Sequence, residues 1–371
     1  MPGTYQASDG RRFEFDDGYF EALERVRPLA AVGATPLQDS AANPYAAEQV
    51  GLMHFLGKTY EAVVLAEALA RHGRRARFGR ALDIGAGPAL QSRFLKAAGI
   101  IGSNEAIDVY DGRARCPESR FWPLLLATVA LHGGYRAFCL LPEGLRDAIF
   151  PRLRERLPIG RRQFGLCPAL EHFAFLPRPG ASVNRYTVGD VYDRDDGQYD
   201  LVTSFMALDY FDFERIAEKA CALLRPGGTF AFLVSYWWYP VNNTLLFGRF
   251  PYLLQRLAPD EVLRYFRDTH SEIPAAGIER RLGYSDQRRP TVADYQEIAF
   301  AKGLRPVAVT RLAPADAHAN DRAVIGPLAI DRRPSSALAT VLADARHWQP
   351  RVTLDDLLTS HVLMVFEKAG A

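Results

Sequence analysis

The sequence predicts an α/β fold in which a mainly parallel sheet of seven strands is flanked by helices. Short apolar runs alternate with helical stretches along the 371 residues, which is typical of parallel strands joined by crossover helices. Most of these runs are apolar throughout, as in a sheet that is covered on both faces. Apolar residues make up 48% of the chain, which is enough for a sizeable core.

The strand candidates are short runs with continuously apolar centres: "RALDI", "EAIDV", "NRYTV", "YDLVTS", "TFAFLVS", "RPVAVTR" and "HVLMVFE". Between several of them the apolar residues recur at helical spacing instead of forming one run. This spacing predicts helices over Gln91–Ala98, Phe213–Leu224 and Thr291–Lys302. Strand and helix therefore alternate along most of the chain.

A further long helix is predicted from Pro44, after about 40 residues that we expect to be irregular. Its apolar side comprises Leu52, Phe55, Leu56, Val63, Ala66 and Ala70. His54, Lys58 and Glu61 lie on the opposite side. We therefore expect that opposite side to face water.

Charge and cysteine usage exclude several classes of function. The 45 basic and 43 acidic residues nearly cancel, which argues against nucleic acid or an anionic membrane as a partner. The four cysteines are widely spaced and form no zinc-binding pattern, so no metal site is predicted. No signal-peptide layout and no apolar run of roughly 18 residues is present. We expect a cytoplasmic protein, with a homodimer left open.

The stretch "ALDIGAGPALQSRFL" places a glycine turn between a strand and a helix. Such a turn exposes backbone N–H groups at the ligand crevice of an α/β sheet. The third glycine of a dinucleotide fingerprint is replaced by Leu90, and no phosphate-loop lysine follows. Asp83 precedes Gly85, Gly87 and Pro88, and a carboxylate there suits a ligand that carries an ammonium or hydroxyl groups.

This turn resembles the first motif of the class I S-adenosyl-L-methionine (SAM)-dependent methyltransferases, which have a Rossmann-like fold. The resemblance implies that Asp83, Gly85, Gly87 and Pro88 bind SAM. Asp108 in "AIDVYD" is similar to the family's acid that binds the ribose hydroxyls, with nearby Asp111 as an alternative. The turn and "DVYD" are partly similar to those of small-molecule amine N-methyltransferases, which place a tyrosine soon after the proline where this chain has Ala89, Leu90 and Gln91.

Three further cofactor contacts are implied by the same resemblance. Asp190 in "VGDVYD" is similar to the acid that pairs with the adenine amino group, with Val191 beside the ring. Ser204 lies at the exit of the fourth strand, where it is expected to face the methionine end of SAM as a hydrogen-bonding group or as a small residue that leaves space.

The acceptor site is predicted in "SYWWYPVNNT", directly after the fifth strand. Aromatic rings there could stabilise a cation or belong to the core. Catalytic candidates are Ser204, Tyr236 and Asn243. Substrate-binding candidates are Tyr60, Tyr236, Trp237, Trp238 and Tyr239.

The organisation of the chain predicts two regions. Residues 1–78 are expected to form an N-terminal helical cap, and residues 79–371 a SAM-binding catalytic domain with insertions at about 113–180 and 237–290. The activity expected is methyl transfer from SAM to a small molecule in specialised biosynthesis. One alternative is a SAM-cyclising enzyme that releases methylthioadenosine and a cyclic amino acid such as azetidine-2-carboxylate. Another is a non-catalytic SAM-binding scaffold.

Overall fold

The computed structural model describes residues 3–15, 49–71, 77–139, 141–142, 144–145, 183–195, 197–236, 238, 253–269, 289–314, 325–327, 336–359 and 361–370. The strands in these ranges are β1 (Gly3–Gln6), β2 (Arg12–Phe15), β3 (Phe78–Ile84), β4 (Ile101–Asp108), β5 (Arg185–Val188), β6 (Tyr199–Phe205), β7 (Leu224–Ser235), β8 (Leu304–Pro314), β9 (Ile325–Pro327) and β10 (His361–Lys368). The helices are α1 (Leu52–Arg71), α2 (Leu90–Ala97), α3 (Glu118–Cys139), α4 (Phe213–Leu223), α5 (Leu253–Arg256), α6 (Pro259–Thr269), α7 (Val292–Ala301), α8 (Ser336–Trp348) and α9 (Leu354–Leu358).

The central sheet has the order β5-β4-β3-β6-β7-β10-β8-β9. Strands β5, β4, β3, β6 and β7 run parallel, whereas β10 is antiparallel to both of its neighbours, β7 and β8. The predicted mainly parallel α/β sheet is confirmed, because all seven predicted runs are strands of it. The short strand β9 adds an eighth strand, antiparallel to β8, at one edge.

Helices cover both faces of this sheet. Leu82 and Ile84 of β3 lie in a core that also contains residues of α4, α7, α8 and α9. Ala81 points to the opposite face, into a second core formed with α1, α2 and α3. The alternation explains why the strands are apolar throughout, since successive side chains enter two different cores. No helix among the described residues has the length and apolar character needed to cross a membrane.

The N-terminal region differs in part from expectation. Residues 3–15 form the β1–β2 hairpin instead of an irregular segment, and Tyr5 and Ser8 donate hydrogen bonds to Glu261 of α6. Residues 49–51 are not helical and the helix begins at Leu52, so the prediction of one helix continuing from Pro44 is wrong over residues 49–51; Pro44 itself lies outside the described residues. Helix α1 packs on α2, β7 and β10. The boundary at residue 78 stays a prediction.

A buried carboxylate joins three elements on the α7 side of the sheet. Asp356 is 1% exposed and accepts hydrogen bonds from the Tyr236 hydroxyl (2.7 Å) and from Arg311 Nη1 (2.8 Å). It also completes a capping box with Thr353 at the start of α9. Because its donors come from β8, from the residue after β7 and from α9 itself, Asp356 holds α9 to the sheet.

Asp356→Ala is expected to lower the free energy of unfolding by about 3 kcal/mol, because it leaves a buried hydroxyl and a guanidinium without their acceptor. Urea denaturation measures this change. The matched control is Asp355→Ala, at an exposed position of the same helical turn, which should cost less than about 1 kcal/mol. Equal losses in the two variants would contradict this role of Asp356.

Candidate active site

The glycine turn follows β3 at the carboxyl edge of the sheet. Gly85 and Gly87 have φ angles of +63° and +51°, in the left-handed region that favours glycine. A Cβ at Gly85 would lie 2.5 Å from the Cβ of Ala207, so the turn after β6 packs directly against this position. A Cβ at Gly87 would meet nothing within 4 Å. The turn is therefore closely packed at Gly85, and it leaves unfilled space beside Gly87.

Asp83 lies on β3 just before this turn and is 2% exposed. Its Oδ1 accepts a hydrogen bond from Thr203 Oγ1 at 3.1 Å, whereas its Oδ2 is buried without a hydrogen-bond partner. Burial raises the pKa of Asp83 to about 7; hydrogen bonds from Ser92 and Thr203 oppose the rise, and the charge of Asp108 adds to it. A buried carboxylate oxygen without a donor fits a cationic ligand.

Asp108 ends β4 and fastens the glycine turn. Its Oδ2 accepts a hydrogen bond from the Gly87 N–H at 2.8 Å, and its Oδ1 accepts one from the Tyr110 N–H at 3.0 Å. Asp111 is exposed and paired with Arg113 instead. Of the two acids that the sequence left open, the structure therefore brings Asp108 to the turn.

Tyr186 of β5 is a site residue that sequence reasoning missed. Its hydroxyl donates to the Gly87 carbonyl at 2.7 Å and accepts from the Gly112 N–H at 3.1 Å. A Cβ at Gly112 would overlap the backbone of Gly87, so the loop after β4 lies directly against the turn. The sequence signal was a tyrosine in a strand, which by itself does not distinguish core from site.

The two residues predicted near the adenine lie after β5. Asp190 is exposed, and one of its carboxylate oxygens accepts from the Tyr192 N–H at 2.9 Å, capping a short 3₁₀ helix. Val191 is 3% exposed and belongs to the core below the sheet. Asp190 therefore remains accessible to a ligand, whereas the Val191 side chain is mostly engaged in packing.

Pro88 and Ser204 occupy structural positions beside the site. Pro88 is half-buried between Gly87 and the left-handed residue Ala89, which precedes α2. Ser204 is fully buried and donates to the Ile84 carbonyl at 3.0 Å, which links β6 to β3. The Ser204 hydroxyl therefore holds β6 to β3 at the point where the glycine turn begins.

Two residues of the aromatic run after β7, Tyr236 and Trp238, lie among the described residues. Tyr236 is 1% exposed; its hydroxyl donates to Asp356 and accepts from the Val292 N–H at 3.0 Å. Burial raises its pKa well above the usual range, and the Asp356 charge adds to the rise. Trp238 is fully buried and stacks on Trp348 with ring centroids 5.1 Å apart. The structure therefore brings these two rings into the core.

The other acceptor-site predictions cannot be placed in the same way. Trp237, Tyr239 and Asn243 lie outside the described residues. Tyr60 lies on α1, and its side chain also lies outside the described part. The roles of these four residues stay predictions. No group of three or more metal-ligating side chains is found among the described residues.

The side of α1 that was expected to face water is partly buried, so this expectation is wrong for Glu61. Glu61 is 6% exposed and accepts from Lys58 Nζ (2.8 Å) and from Gln91 Nε2 (2.7 Å). The physical reason is that α1 packs against α2 as well as against the sheet. This chain of polar contacts begins next to the glycine turn, since Gln91 lies in the first turn of α2.

The sheet order, the antiparallel strand β10 between β7 and β8, and an acid-flanked glycine turn after β3 agree with the Rossmann-like α/β fold that the sequence predicts. Each feature is seen directly in the strand pairing and turn geometry. The predicted fold class is thus confirmed in these elements.

Comparisons with known proteins give fold-level likenesses. No protein-family model matches the chain, and no curated protein matches it in sequence. Solved structures that it resembles include geranyl diphosphate C-methyltransferase from Streptomyces coelicolor (14% identity, 93% of this chain and 90% of that one, TM-score 0.38). A second is a SAM-dependent methyltransferase from Thermotoga maritima, at 9% identity over 85% of this chain and 92% of that one, with a TM-score of 0.37. A third is a candidate sarcosine dimethylglycine methyltransferase from Galdieria sulphuraria, at 13% identity over 83% of this chain and 85% of that one, with a TM-score of 0.37. These values are too low to assign a reaction to this chain.

Asp83→Asn is expected to stabilise the ligand-free protein at neutral pH. The folded-state pKa of Asp83, about 7, lies above the ordinary value of 3.8. The stability that this group contributes is therefore present below about pH 4 and is lost as the pH rises through 7. Urea unfolding at pH 5 and pH 8 should show a gap between variant and wild type that widens toward pH 8, by on the order of 1 to 3 kcal/mol.

The matched control is Asp111→Asn at the exposed acid of the neighbouring loop, which should show no widening between pH 5 and pH 8. A gap of the same size at both pH values for Asp83→Asn would refute the raised pKa.

Proposed function

We propose that this protein is a SAM-dependent methyltransferase that acts on a small-molecule acceptor in a biosynthetic reaction. One observation carries the proposal: a buried carboxylate oxygen of Asp83 has no hydrogen-bond partner at the point where β3, β6 and the glycine turn meet. Retaining such a group costs stability. The cost is understandable if a cationic group, such as the α-ammonium of SAM, binds there.

The residues around Asp83 fit the rest of the SAM molecule. Each oxygen of Asp108 accepts one backbone N–H, so lone pairs remain for two ribose hydroxyls. Val109, Tyr110 and Val188 are 58%, 41% and 52% exposed at the adjoining strand ends, which offers apolar surface to a planar ring. Asp190 is accessible beyond them for an exocyclic amino group.

Methyl transfer requires alignment and exclusion of water more than acid–base chemistry. When bound, SAM would supply an electrophilic methyl group on a sulfonium. Asp83 would hold the cationic amino-acid end, and Asp108 would orient the ribose. The turn that both acids flank is fastened by Tyr186, so the chain provides a rigid cradle and leaves the acceptor side to the ends of β7 and β10.

Asp108→Ala is expected to weaken binding of S-adenosylhomocysteine by about 10- to 150-fold, because charged hydrogen bonds contribute roughly 1.5 to 3 kcal/mol. Isothermal titration calorimetry measures the affinity. Asp111→Ala, which changes the exposed acid three residues away, should leave it within about twofold. Wild-type affinity in Asp108→Ala, or no binding by the wild type, would refute the proposal.

Incubation of the wild-type protein with SAM alone tests the reaction class. We expect no methylthioadenosine, because an aligned methyl donor needs an acceptor; S-adenosylhomocysteine should form when a panel of small acceptors is added. Chromatography of the adenosine products gives the readout, with Asp83→Asn as the inactive control. Methylthioadenosine from SAM alone would support the cyclising enzyme, and tight binding without turnover would support the scaffold.

A further inference from the structure

The chain leaves β6 through a residue with a left-handed backbone, Met206. Its φ angle is +58°, a conformation that favours glycine and strains a residue with a side chain. Met206 is fixed there, because its N–H donates to the Leu233 carbonyl of β7 at 2.7 Å and the next residue, Ala207, packs against Gly85. Backbone strain of this kind clusters at functional sites, so the position of the Met206 side chain is informative.

The left-handed backbone changes the face of the sheet on which this side chain lies. Along β6, Leu201 and Phe205 belong to the core formed with α1, α2 and α3, whereas Val202 belongs to the opposite core. Strict alternation would place Met206 on the face of Val202. Met206 is instead partly buried against the core of Leu201 and Phe205. The strained turn therefore directs the thioether side chain to the α1 face.

The Asp83 carboxylate lies on the same face. Thr203, which alternates with Leu201 and Phe205 along β6, pairs with Asp83 in the parallel register of β3 and β6. Its hydroxyl donates to Asp83 Oδ1 at 3.1 Å. Met206 follows three residues later, towards the carboxyl edge of the sheet. Asp83 and Met206 therefore share one face, and Met206 lies nearer the edge.

The interval between these two residues matches the amino-acid portion of SAM. Three residues along β6 correspond to about 10 Å at about 3.3 Å per residue. An ammonium that is hydrogen-bonded to Asp83 lies about 3 Å from its carboxylate. The four bonds from that nitrogen to the sulfur of SAM add about 5 Å in an extended conformation. The sulfur would therefore lie within reach of the Met206 side chain, which is partly exposed.

We propose that Met206 is a positioning residue that packs against the methionine chain of bound SAM and separates the sulfonium from water at the border with the acceptor. This inference rests on the proposed function and adds a residue to it. Strand β6 lies between β3, which carries Asp83, and β7, whose end belongs to the acceptor side. An apolar side chain at this border keeps water away from the methyl group that is transferred. Ser204, which was expected to face the methionine end, instead bonds to Ile84.

NMR of the methionine methyl groups tests the contact directly. The chain contains four methionines, so ¹³C-methyl labelling of the full-length protein gives a simple spectrum in which Met206→Leu assigns the Met206 signal. S-adenosylhomocysteine should shift this signal saturably. Adenosine, which lacks the methionine chain, should leave it nearly unchanged. Met364 is fully buried in the opposite core, so its signal should respond to neither ligand.

Calorimetry tests the contribution of the side chain to affinity. Met206→Ala should weaken S-adenosylhomocysteine binding about fivefold or more, because it removes apolar contact with the methionine chain. Its affinity for adenosine should stay within about twofold of the wild type, since the change affects only that chain. Met206→Leu keeps an apolar side chain of similar volume and should retain most of the affinity.

Two further variants separate the side chain from the backbone turn. Met206→Gly removes the side chain but suits the left-handed conformation, so it should resist urea at least as well as Met206→Ala and bind S-adenosylhomocysteine as weakly. Tyr210→Ala changes an exposed side chain four residues further along the same turn and should leave both affinities unchanged.

A Met206 signal that does not move at saturation with S-adenosylhomocysteine would overturn the inference. Wild-type affinity in Met206→Gly, or equal losses of S-adenosylhomocysteine and adenosine affinity in Met206→Ala, would also overturn it, because the side chain would then have no specific contact with the methionine chain. Failure of the wild type to bind S-adenosylhomocysteine at all would instead refute the proposed function.

Discussion

The hydrogen bond from the Gly87 N–H to the Asp108 carboxylate is the contact on which the candidate site depends. It joins the turn after β3 to the end of β4, and Tyr186 adds a third strand by donating to the carbonyl of the same glycine. The loop carrying Gly112 then packs against that turn so closely that no side chain fits between them. The backbone of the glycine turn is therefore held from several sides, which is the preorganisation that positioning chemistry needs.

The second constraint is electrostatic. The buried carboxylate of Asp83 is destabilising in the ligand-free protein because its desolvation is only partly offset by Thr203 and Ser92. The nearby charge of Asp108 opposes ionisation further. A cationic ligand would relieve both effects together. The buried Asp83 carboxylate therefore lowers the stability of the ligand-free fold and makes the site complementary to positive charge. Such a loss of stability is common where residues serve a function.

An element could be predicted from the sequence where neighbouring residues determine it, and could not where contacts between distant segments do. The strands and the turn at Gly85 were predictable because an apolar run indicates a buried strand and a glycine indicates a turn with a left-handed backbone, and both depend only on neighbouring residues. The water-facing assignment of Glu61 was wrong because a helix period shows which side is apolar, while the packing of α2 on the other side is a long-range contact. Tyr236 and Trp238 entered the core for a related reason: an aromatic side chain suits either a core or a ligand wall, and only its neighbours in space decide.

The sequence by itself determined the fold class and the identity of the acid-flanked glycine turn, because strand periodicity and glycine torsions are properties of neighbouring residues. It left Asp108 and Asp111 as alternatives. Of these two acids, tertiary structure brings Asp108 to the glycine turn, where its carboxylate accepts the Gly87 N–H across two parallel strands. Tertiary structure alone also packed α1 against β10, a contact between segments some 300 residues apart that no local pattern encodes.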